Sequence, residues 1–88
     1  MTFKIEKDSD RQSTTIRLIG RIQSGHLDAL KAQITGIGPR IVLDLDEVTL
    51  VDVDVIRFLG VCEDEGIEVV HCSPYIREWM RQERDRRK

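Results

Sequence analysis

The chain has 88 residues, 34% of them charged and 40% hydrophobic, with a formal net charge of −2. That is one domain near the lower limit for a self-sufficient core, and its composition excludes a disordered chain. No apolar run approaches the roughly 20 residues that cross a bilayer, and the start Met-Thr-Phe-Lys-Ile-Glu-Lys is too charged for a secretory leader, so the cytoplasm is the expected compartment.

Phe3 and Ile5, then Ile16, Leu18 and Ile22, alternate with polar residues on either side of the turn-forming stretch Lys7-Asp8-Ser9-Asp10-Arg11-Gln12. This pattern predicts an antiparallel hairpin. Leu27, Leu30 and Ile34 then fall at helical spacing, with Ser24 or Gly25 as the expected cap and Gly36, Gly38 and Pro39 as the stop. Ile41-Val42-Leu43-Asp44-Leu45 is a short, branched, apolar run, which predicts a central strand covered on both faces. Asp52 is placed to cap a helix on which Val55, Ile56, Leu59 and Cys62 recur inward, Arg57, Glu63 and Asp64 turn outward, and Gly66 ends the pattern. Ile67 to His71 reads as a further strand. Ser73-Pro74 reads as a helix start, with Ile76, Trp79 and Met80 as its apolar stripe.

The expected fold class is therefore α/β, a four-stranded mixed sheet with about three helices against one face and the other face thinly covered. One domain over residues 1–88 is expected, with a charged, fraying helix end at 81–88. Residues Arg77 to Lys88 hold six basic and three acidic side chains. The interleaved acids and the lack of aromatic interleaving speak against a nucleic-acid arm, so no nucleic-acid or membrane partner is expected.

Cys62 and Cys72 sit where a helix and a strand should face the core, which predicts reduced, buried thiols rather than a bridge. His71, Cys72 and Ser73 are adjacent, yet neighbouring strand residues point to opposite faces and cannot converge on one atom. His26 is read as a polar residue in the first turn of a helix. The chain has no glycine-rich phosphate loop, zinc-ligand spacing or nucleophile elbow, so no enzymatic activity, cofactor or metal is expected. The acidic group Asp44, Asp46, Glu47, Asp52 and Asp54 lies at the carboxyl end of the expected central strand, where open α/β sheets place ligands. Asp46-Glu47 reads more simply as a solvated loop and Asp52 as a cap.

The stretch Arg40 to Leu59 resembles the signature of the STAS domain. There a buried strand ends in Asp-Leu and an Asp-Ser-x-Gly-Leu element opens a helix whose serine is phosphorylated. The matching element is Asp52-Val53-Asp54-Val55-Ile56, with valine at both the serine and the glycine positions. Gly20-Arg21-Ile22 is similar to the family's step into the first helix, and the resemblance covers roughly residues 13–80. The family commonly adds a C-terminal strand and helix, so the resemblance implies a sheet shortened at the C-terminus or completed by another subunit.

The resemblance also implies a regulatory docking module of the anti-sigma factor antagonist kind, with a kinase-like anti-sigma factor as protein partner. The docking surface would comprise Asp46, Thr49, Asp52, Val53, Asp54 and Arg57. Val53 marks the lost phosphoserine, so phosphate cannot switch this surface there. Asp54 serves either as an ordinary first-turn acid or as a partial imitation of phosphate at the helix start. Thr49 is either a substitute phosphosite or a plain loop threonine. The alternative function is a structural homodimer built on Tyr75, Trp79 and Met80 of the last helix.

Overall fold

The computed structural model describes residues 3–34 and 40–86. The chain runs β1 (Phe3–Ser9), β2 (Thr14–Ile22), a 3-10 turn (Ser24–His26), α1 (Leu27–Ile34), β3 (Ile41–Val51), α2 (Val53–Asp64), β4 (Glu68–Val70) and α3 (Pro74–Arg86). The strands form one sheet in the order β1-β2-β3-β4. β1 and β2 are antiparallel, and β3 is parallel to both β2 and β4. This is the expected α/β mixed sheet.

Local chemistry explains the boundaries. At the hairpin tip the Asp10 carboxylate accepts the N–H groups of Gln12 and Ser13, both at 2.8 Å, turning the chain through an Asx-type loop. At the end of α2, Gly66 takes φ +90°, and the N–H groups of Gly66 and Ile67 donate to the carbonyls of Glu63 and Cys62. These bonds form a Schellman stop that a side chain would strain. Ser73 Oγ accepts the Ile76 N–H at 3.4 Å, so serine caps α3 as its Ser-Pro start implies.

One face of the sheet carries Ile16, Leu18 and Ile22 of β2, Leu43 and Leu45 of β3, and Val69 of β4. All are buried with Leu30 of α1, Val55, Ile56, Leu59 and Cys62 of α2, and Ile76 and Met80 of α3. Burying so much branched apolar surface in one layer supplies the driving force for the fold.

Several expectations are corrected. β3 is covered on the helix side only, because its other face meets the side chains of Arg17 and His71 rather than a helix layer. β3 also runs on through Asp46, Glu47 and Thr49, which the sequence placed in a loop. Pairing with Ile19–Ile22 of β2 provides the hydrogen-bond ladder, and two register shifts, between Arg17 and Ile19 and between Gly20 and Arg21, absorb the extra residues. Gly20, at φ +92°, sits at the second shift.

The cap ahead of the first helical turn is Gln23, not Ser24 or Gly25. His26 belongs to that 3-10 turn, where its Nδ1 accepts the Gln23 N–H at 3.1 Å. The expected stop at Gly36, Gly38 and Pro39 lies outside the described residues. His71 follows β4 rather than lying in it, with φ +56°. Helix α3 runs through Arg86, with its Glu83 buried against Arg57.

Candidate functional site

Asp52 organises the carboxyl end of the parallel strands. Its Oδ1 accepts the Val55 N–H at 3.1 Å, capping α2, while its Oδ2 accepts the Ser24 N–H at 2.7 Å, where the chain leaves β2. A single carboxylate thus pins the exits from β2 and β3. Val53 opens α2 half-buried, Asp54 is exposed beside it in the first turn, and Val55 is fully buried in the core.

Asp54, Arg57, Phe58 and Val61 recur along one flank of α2, and Glu65 caps its C-terminal end. With Leu27, Lys31 and Ile34 of α1, Cys62 and Ile67 they line a groove of about 550 Å³ between the two helices. Its walls are largely apolar: Phe58 is half-buried under the Lys31 ammonium, 5.9 Å from the ring centroid, and Val61 is 40% exposed. Leu27, Phe58 and Val61 were missed in the sequence as surface residues. The signal was the second apolar row of α2, offset from the core row.

The six proposed docking residues divide into two groups. Asp52, Val53, Asp54 and Arg57 gather at the start of α2, and Asp54 and Arg57 line the groove. Arg57 also donates from Nε to Glu83 Oε1 of α3 at 3.1 Å, so it braces the helix pair as well as facing solvent. Asp46 and Thr49 lie exposed on β3 instead, and Asp46 donates its backbone N–H to Asp44 Oδ1 at 3.0 Å.

The acidic group does not converge. Asp44 is buried on the open face of the sheet, where its carboxylate meets His71 Nδ1 at 3.0 Å and Arg17 Nε at 4.0 Å. Arg17 reaches Glu47 at 3.4 Å and Glu6 at 3.8 Å, so a charged row crosses the strands. Burial alone would push the Asp44 carboxyl up, but the Asp46 N–H, the His71 ring and the Arg17 guanidinium outweigh it and hold it below the usual carboxylate range. No group of three or more His, Cys, Asp or Glu side chains is arranged to hold a metal ion among the described residues.

His71, Cys72 and Ser73 diverge: His71 turns to Asp44, and Ser73 caps α3. Cys62 is buried and Cys72 half-buried, both as free thiols. Burial, with Glu65 and Glu63 nearby, pushes the Cys62 thiol up to about 12, which keeps it protonated and unreactive. On α3, Met80 belongs to the core and Trp79 packs against it, while Tyr75 is 49% exposed. The expected interface stripe is thus reduced to Tyr75 and the outer edge of Trp79.

No family model and no curated protein matches the sequence. Among solved structures, an uncharacterized protein of the DUF3478 family with a SpoIIAA-like fold, from Shewanella loihica PV-4, is similar to this chain. The likeness covers 76% of this chain and 61% of that one, at 13% identity and a TM-score of 0.42. This chain spans about three fifths of that protein's length. No described helix is long and apolar enough to cross a membrane.

Proposed function

We propose that the chain is a non-enzymatic docking module of the STAS kind that engages a protein partner through the start of α2 and the α1–α2 groove. The observation that carries this reading is the largely apolar groove of about 550 Å³, lined at the start of α2 by Asp54 and Arg57. Concave apolar surface with a few charged side chains at its rim is what a partner's protruding side chains can fill. Valine at the serine position leaves no hydroxyl there to carry phosphate, so the module binds without that switch. By the family resemblance the partner is a kinase-like anti-sigma factor in the cytoplasm.

Capture from host lysate tests this with wild type beside Val53→Asp and Val61→Asp. Val61 is 40% exposed and Val53 is half-buried at the very start of α2, so the variants are expected to keep the helical circular dichroism of the wild type, which is checked for each before capture. Loss of one specific protein from the captured set, by about tenfold or more, is the expected result. Unchanged capture by both folded variants would remove the α2 surface from the proposal.

A second reading is a structural dimer through α3, favoured by the exposure of Tyr75 and its ring contact with Trp79 at 6.1 Å. Light scattering on Tyr75→Ala and Trp79→Ala separates it, since a dimer that dissolves in both while the fold persists would favour assembly.

A further inference from the structure

β1 is an edge strand of seven residues, whereas β4 at the opposite edge has only three. A strand edge presents a row of backbone N–H and C=O groups that invites another strand. On the helix side of β1, Phe3 and Ile5 are half-buried against the core, and on the open side Lys4 and Glu6 stand exposed. This alternation gives residues 3–6 of β1 one apolar and one charged face at the sheet margin, with Lys7 following Ile5 on the helix side.

We propose that two copies of this chain pair edge to edge through β1, antiparallel and with Ile5 on the two-fold axis, to form one continuous eight-stranded sheet. The charge pattern selects this register. A two-fold axis normal to the sheet keeps both helix layers on one side and places each residue opposite one of the same face, so the axis must pass through a residue. Centring on Lys4, Glu6, Lys7 or Asp8 sets like charges against each other on the axis, which disfavours those registers, and centring on Phe3 or Ser9 leaves only that end residue of β1 paired within the strand. Centring on Ile5 sets Ile5 against Ile5 and Phe3 against Lys7 on the core side. On the open side it sets Lys4 against Glu6 of the second copy, twice. Within one copy Lys4 already meets Glu6 at 3.4 Å and Glu6 meets Arg17 at 3.8 Å. Pairing therefore prolongs the charged row of the open face across the junction with alternating sign, and the two Ile5 side chains close the gap between the two cores. This surface is separate from the α2 groove, so the dimer stands or falls independently of the partner proposed above.

Sedimentation equilibrium on the full chain tests the register, using Lys4→Glu, Glu6→Lys, an equimolar mixture of the two, and the exchange variant carrying both substitutions. The wild type is expected to associate to a dimer. Each single variant sets like charges opposite each other at two places and is expected to weaken the dimer roughly tenfold. The mixture restores opposite charges at both places and should recover wild-type affinity, as should the exchange variant, which also guards against a single variant that fails to fold. A monomeric wild type at about 0.5 mM, a dimer indifferent to both substitutions, or a mixture no tighter than its components would each overturn the proposal.

Discussion

Asp52 accepts two backbone N–H groups from segments 28 residues and three residues away in sequence. Truncation to alanine orphans both donors, so Asp52→Ala is expected to destabilise the fold by about 1–2 kcal/mol in urea titration, and Asp52→Asn by clearly less, because the amide oxygen still caps. A loss in Asp52→Ala no greater than that of an exposed acid such as Asp54 would show that the cap contributes nothing. Asp44 gives a pH signature of determined sign. Its carboxyl sits below the ordinary range when folded, so its contribution is fully present above the unfolded pKa of about 4 and is lost as pH falls through the folded value. Stability should therefore drop on acidification below about pH 4, and Asp44→Asn should flatten that limb in pH-dependent thermal melts.

At the scale of elements, the α2–α3 pair is held by a buried carboxylate as well as by its apolar stripe. Glu83 is 7% exposed and meets Arg57 at 3.1 Å, with Arg86 at 4.0 Å. Removing the acid leaves Arg57 free to hydrate, since its side chain is 55% exposed, so Glu83→Ala is expected to cost about 1–2 kcal/mol in denaturant titration rather than the larger penalty of a wholly buried pair. The two glycines give a matched contrast. A methyl group at Gly66 or at Gly25 meets nothing within 4 Å, but only Gly66 lies at positive φ. Gly66→Ala should lose about 1 kcal/mol from backbone strain alone, whereas Gly25→Ala should be neutral or gain up to about 1 kcal/mol from a stiffer unfolded chain, as read by paired thermal melts.

The order of elements across the whole molecule was legible because hydrophobic period changes cleanly from two to helical spacing at Ser24, Asp52 and Ser73, and a capping or turn residue marks each change. What escaped was set by partners distant in sequence. Asp46, Glu47 and Thr49 have the composition of a loop and became strand because β2 offered them a ladder. Asp44 in an apolar run was the visible sign of the open face, yet its partners Arg17 and His71 come from β2 and from beyond β4, which no local pattern discloses. Of the proposed docking surface, the start of α2 was named from the Asp52 element, while the groove emerged only once α1 was laid beside α2. The shared Asp52 acceptor also has a dynamic consequence. Releasing its carboxylate frees the amides of Ser24 and Val55 together, although they belong to different crossovers. Deuterium uptake at these two amides should accordingly rise in step when Asp52 is truncated, so that two surface connections open as one unit.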